Sequence, residues 1–147
     1  MTRIDFYVDA DDRLRVACRL AAKAVAQRLR VLVYAPDGEV AAALDRLLWT
    51  TPAIGFVPHV MAGHRLAAET PVVIARGDGD LPHDEVLVNL ARESPRPFAR
   101  FQRLVEIVSC DDEDRGAARE RYRFYRDRGY EIRTHSLAEL TRGGVDG

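Results

Sequence analysis

The chain has 147 residues, 47% of them hydrophobic, and a formal net charge of −1. That length supports one domain with a substantial core. The near-neutral charge argues against wrapping nucleic acid as the main task, because phosphate neutralisation needs a concentrated positive surplus.

Arginine carries nearly all the positive charge, with Lys23 the single lysine, so the chain is well supplied with side chains that recognise carboxylates bidentately. Cys18 and Cys110 lie far apart without CxxC spacing, which indicates neither a disulfide framework nor a zinc site. A reduced, cytoplasmic setting is the simpler expectation. The opening MTRIDFYV carries no apolar run of signal-peptide or membrane-span length, so neither export nor a membrane contact is expected.

In chain order, IDFYV (4–8) reads as a strand, and the acidic DADD after it suits the cap of a helix from near Arg13 to about Leu29. Within that helix Leu14, Ala17, Cys18, Ala21, Ala22 and Val25 recur at helical spacing and mark the core face. RVLVYA (30–35) is a second strand, followed by a helix from Gly38 to Trp49.

The stretch LLWTTPAIGFVPH (47–59) then holds the only tryptophan, Trp49, with Ile54 and Phe56, in a segment broken by Pro52, Gly55 and Pro58. Large apolar side chains in a loop call for a function. PVVIA (71–75) and VLVNL (86–90) are further strands, separated by the polar turn GDGDLPHD. PFARFQ reads as a short helix with Pro97 near its start, LVEIVS (104–109) as a strand, residues 112–128 as a charged helix and YEIRTHSL as the last strand. Strands alternating with helices predict a three-layer α/β/α sandwich with a mostly parallel sheet. There is no repeat or interdomain linker, which predicts a single domain over 1–140 and a flexible tail over 141–147.

Such folds often bind nucleotides at the exit of the first strand, but DADDRLR has neither GxGxxG nor GxxxxGK[ST], and its aspartates would repel a phosphate. Asp9, Asp11 and Asp12 suit helix capping and a solvated turn, with a Mg-dependent, phospho-receiver-like or nucleotide-handling domain as the alternative reading. His59, His64, His83 and His135 suggest metal binding or acid/base work, yet Pro58 and Gly63 disfavour a continuous helix through HVMAGH, so its spacing gives no shared helical face. No nucleophile motif is present, and no catalytic, cofactor or metal residue is assigned.

In residues 114–129, Arg115, Arg119, Tyr122 and Arg126 fall on one stripe at about 100° per residue, bordered by Arg123. Ala117, Phe124 and Tyr125 turn the other way and can pack inward. Two readings of the stripe stand: a solvated face partly neutralised by Glu120 and Asp127, or a site for an acidic peptide ending in a carboxylate and carrying an aromatic anchor.

With these pieces assembled, the chain resembles the chi subunit of bacterial DNA polymerase III, a clamp-loader accessory protein. The resemblance rests on DFY (5–7), RVLV (30–33), LDRLLWTTPAIGFVPHVMAG (44–63), PVVIA (71–75), LVEIVS (104–109) and ARERYRFYRDRGY (118–130), in family order over nearly the whole chain. Leu29 departs from the family's habit of placing glycine between the first helix and second strand.

The resemblance implies a non-catalytic protein of Rossmann-like topology without a nucleotide-binding loop and without a cofactor. It implies docking of the psi subunit through Trp49 and Phe56, with Trp49 alternatively closing the second helix against the core. It also implies a site at Val108, Arg115, Arg119, Tyr122 and Arg123 for the C-terminal tail of single-stranded DNA-binding protein, DNA itself being reached only indirectly.

Overall fold

The computed structural model describes residues 1–51, 57–79 and 81–138. Its centre is a seven-stranded sheet in which every pairing is parallel. The strands are β1 (Arg3–Ala10), β2 (Val31–Tyr34), β3 (His59–Met61), β4 (Val72–Ala75), β5 (Val86–Asn89), β6 (Arg103–Ser109) and β7 (Ile132–Ser136), in the spatial order β3-β4-β2-β5-β6-β1-β7. Helices α1 (Arg13–Ala26) and α2 (Gly38–Thr50) pack on one face, and α3 (Asp112–Asp127) covers part of the other. The three-layer α/β architecture expected from the strand and helix alternation is present.

Local sequence explains the elements. Every residue of β4 and β5 is buried, as expected of central parallel strands covered on both sides. Along β6 the alternation sends Val105 and Ile107 towards α1 and α2, and Leu104 and Val108 towards α3. Helix α1 starts where Asp12 accepts hydrogen bonds from the amides of Leu14 and Arg15, α2 where Asp37 caps Glu39 and Val40, and α3 where Asp111 caps Asp114. The stretch around Pro97 forms a 3-10 turn, Arg96–Arg100, whose Phe98 enters the core beside Tyr125.

Three expectations need correction. Residues 59–61, where the sequence predicts loop, form β3, a strand too short to show a period and recruited because His59, Val60 and Met61 pair with Val72, Val73 and Ile74. Helix α1 stops at Ala26 rather than near Leu29, because Arg28 takes a left-handed backbone conformation (φ 64°). In α3 the buried alanine is Ala118, with Ala117 only half-buried, and Arg121 is buried as well. Phe56 and Ile54 lie outside the described residues, as does the expected tail over 141–147.

The topology also determines where a groove can open. β1 and β6 are neighbours, yet the helices that follow them, α1 and α3, pack on opposite faces of the sheet. Diverging connections of this kind leave a crevice outside the carboxyl ends of the two strands.

Candidate functional site

A groove of about 460 Å³ runs between α3 and the carboxyl-terminal halves of β1, β6 and β7. Val108, Arg115, Arg119, Tyr122 and Arg123, the residues named from the chain's resemblance, all line it. Helical geometry accounts for four of them: one face of α3 presents Arg115, Arg119 and Tyr122 in successive turns, with Arg123 and Arg126 beside them. Val108 enters from β6, almost wholly buried at the base.

Residues that sequence reasoning did not find complete the groove. Phe6 meets Tyr122 edge-on at 5.5 Å and gives the groove an apolar floor. Thr134 reaches the groove from β7, the strand paired with β1. Asp9 sits where β1 places two residues against one of β6, and it holds a left-handed conformation (φ 62°) that aspartate tolerates better than most residues. The bulge turns its carboxylate to Arg115 Nη2 at 3.3 Å and to the Ser136 hydroxyl at 2.7 Å. A signal for Asp9 was present in the DADD run, but capping accounted for it equally well.

The arginines of the groove are not equally engaged. Arg115 faces Asp9, Arg123 faces Glu120 at 3.1 Å and Arg126 faces Asp127 at 3.3 Å. Arg119 has no ion-pair or hydrogen-bond partner among the described residues. The Arg123–Glu120 pair is exposed on both sides, where such contacts contribute little, so its guanidinium can turn to an arriving carboxylate at small cost.

Beneath α3 lies a polar cluster sealed from solvent. Glu106, 0% exposed, accepts hydrogen bonds from Arg121 Nε at 3.0 Å, from the Tyr125 hydroxyl at 2.6 Å and from Asn89 Nδ2 at 3.1 Å. Burial pushes the Glu106 carboxyl above its usual range, while Arg121 and the hydrogen-bond donors oppose that shift. This cluster fixes the rotation of α3 over the sheet and with it the direction in which the arginine stripe points. Sequence reading missed it because an arginine in a charged helix carries no local mark of burial.

At the far edge of the sheet Trp49, at the end of α2, is 60% exposed and meets the ring of His59 edge-on at 5.1 Å. The alternative in which Trp49 closes α2 against the core is therefore corrected; Leu44 and Leu48 fill that position. His59 is buried, with Nδ1 2.6 Å from the Val57 carbonyl and Nε2 3.1 Å from Asp45 Oδ1. His83 contacts the Thr70 carbonyl, His64 accepts from the Leu66 amide and His135 pairs with Asp5.

These histidines serve separate local contacts. Among the described residues no group of three or more His, Cys, Asp or Glu is gathered as a metal site. Asp12 is engaged as the α1 cap and Asp9 by Arg115 and Ser136, which gives two members of the acidic cluster structural partners. No helix among the described residues is long and apolar enough to cross a membrane.

Fold and groove together define a class: a doubly wound parallel α/β domain carrying a basic surface groove, with the capping Asp12 where a phosphate loop would stand. The model of the family described as DNA polymerase III chi subunit, HolC, matches residues 1–133, and the chain belongs to that family. It is 39% identical over 144 residues to DNA polymerase III subunit chi of Pseudomonas aeruginosa, covering 95% of this chain and 100% of the relative. It is also 35% identical over 122 residues to subunit chi of Escherichia coli, covering 82% of each chain. Against subunit chi of Haemophilus influenzae the identity is 31% over 123 residues, covering 83% of this chain and 85% of the relative. Membership places the protein in DNA replication, as a subunit of DNA polymerase III.

Proposed function

We propose that this chi subunit is a non-catalytic adaptor, cytoplasmic and free of cofactors, that links the clamp loader to single-stranded DNA-binding protein. The psi subunit ties it to the loader, and the groove under α3 takes the acidic, phenylalanine-ended C-terminal tail of the DNA-binding protein. The observation that carries this reading is the convergence of Arg115, Arg119, Tyr122, Arg123 and Val108 on one groove in which Arg119 has no partner among the described residues.

The geometry suits each part of such a tail. Arg119 and Arg123 receive its carboxylates in bidentate fashion, and Arg115, screened by Asp9, adds longer-range attraction. Val108, Phe6 and Tyr122 offer an apolar, aromatic recess for the terminal ring. Salt weakens the contact because much of its attraction is between exposed charges. DNA is reached only through the bound protein.

For psi, the exposed ring of Trp49 supports docking at the α2 end, with Phe56 as its expected companion in sequence. Two weak contacts on one domain suffice for a bridge, since a tethered second contact forms at high effective concentration.

The test is a titration with a fluorescent peptide carrying the acidic, phenylalanine-ended sequence, beside one lacking the phenylalanine. Saturable binding that needs the phenylalanine, falls with salt and drops by roughly ten-fold or more in Arg119→Ala is the expected result. Absence of binding to folded protein overturns the tail site.

A further inference from the structure

A second, larger groove of about 980 Å³ lies on the opposite flank of α3, between that helix and residues 92–98. Its apolar floor includes Phe98, Phe124 and Pro95, with the two phenyl rings edge-to-face at 6.2 Å. Arg92, Arg96 and Arg128 stand around it, and Arg123 belongs to both grooves. These four exposed cations face three acids of the lining, Glu93, Glu120 and Asp127; Arg92 also meets Glu113 at 2.8 Å and Arg96 meets Asp78 at 3.9 Å, in exposed pairs that contribute little and can be exchanged for an arriving carboxylate.

Arg121 is 3% exposed; its Nε meets Glu106 and its Nη1 the Arg92 carbonyl, but Nη2 has no hydrogen-bond acceptor among the described residues. The Arg121 charge is already met by Glu106, so it is the exposed rim of Arg92, Arg96, Arg123 and Arg128 that favours an anionic occupant. Between the grooves the crest of α3 is low at Gly116, where an added Cβ would meet nothing within 4 Å.

We propose that the second groove receives the acidic stretch upstream of the terminal aromatic residue of the same peptide, so that one extended chain crosses α3 at Gly116 and Arg123 and is held on both flanks. This rests on the reading of the first groove as the tail site. The terminal ring sits against Tyr122, its nearest carboxylates meet Arg119 and Arg123, and the upstream carboxylates lie among Arg92, Arg96 and Arg128. An extended chain advances about 3.3 Å per residue and a helix is about 10 Å across, so the crossing takes roughly three or four residues.

The experiment compares two fluorescent peptides with the same phenylalanine end, one stopping about five residues upstream and one extended by about six further residues rich in aspartate, enough to span the helix. The long peptide should bind roughly ten-fold tighter, and the double variant R96A/R128A should remove that gain while leaving the short peptide's affinity unchanged, which also certifies the fold. Arg65→Ala, which removes the same kind of charge in the loop after β3, should keep the gain.

Equal affinity for the two peptides, a gain that survives R96A/R128A, or an equal loss in Arg65→Ala overturns the crossing. Long-peptide binding that ignores Arg119→Ala also overturns it, by making the second groove an independent anion site. Failure of the short peptide on folded protein marks instead the failure of the first groove's reading, and the crossing falls with it.

Discussion

Glu106 and Asp5 are both buried carboxylates with arginine partners, yet their chemistry runs in opposite directions. Glu106 is sealed under α3, and burial outweighs its donors, raising its pKa above the ordinary carboxyl value. Replacing it with glutamine leaves the Arg121 guanidinium charged and buried without its counter-ion. Such broken pairs cost about 3 kcal/mol or more, so Glu106→Gln should lower the urea midpoint sharply. Burial also acts to raise Asp5, but hydrogen bonds from His135 and Arg103 with the Arg103 and Arg3 charges outweigh it, and the carboxyl lies below its ordinary value of 3.8. A group depressed in the folded state adds stability above its unfolded value and loses that contribution as pH falls through the folded one. The wild type should therefore lose more stability than Asp5→Asn between about pH 5 and pH 2, measured as urea midpoints along the acid limb.

At the level of elements, the two long helices flanking β1 and β6 end in the same motif with different residues. After α1 the Leu29 amide donates to the Ala24 carbonyl at 2.9 Å and the Arg28 amide to the Val25 carbonyl at 2.8 Å, with Arg28 at φ 64°. After α3 the Tyr130 amide donates to the Tyr125 carbonyl at 3.2 Å and the Gly129 amide to the Arg126 carbonyl at 2.9 Å, with Gly129 at φ 81°. The left-handed position favours glycine, and a side chain there costs about 1 kcal/mol. Arg28→Gly should thus stabilise by about 1 kcal/mol and Gly129→Ala destabilise by a similar amount in chemical unfolding. The family's glycine habit concerned Leu29, but the strain falls on Arg28, and Leu29 is the residue that packs back on the core.

For the whole molecule the distance between sites governs behaviour. Trp49 lies by β3 and the α3 groove opens near β1, five strand positions away, which at about 4.8 Å per strand is roughly 24 Å. Sites so separated on one packed sheet act additively unless a bistable element joins them. Psi affinity should be the same for wild type and Arg119→Ala, tail affinity the same for wild type and Trp49→Ala, and one chain should hold both partners at once by calorimetry. A parallel loss of both would indicate a folding defect rather than two sites.

Sequence alone settles the α/β class, the place along the chain of all but one strand, the acidic cap of α1 and the arginine stripe, because these follow from periods of two and 3.6 residues and from local hydrogen bonds. Val108 and the pairing of Trp49 with Phe56 came from resemblance, since neither carries a local pattern. Tertiary structure alone decided that β3 is a strand, that Phe6, Asp9 and Thr134 join the groove and that Arg121 and Glu106 meet in the core. Each of those depends on contacts between residues far apart in the chain. Whether a charge is buried, or a three-residue segment finds a partner strand, depends on what packs against it rather than on its neighbours in sequence.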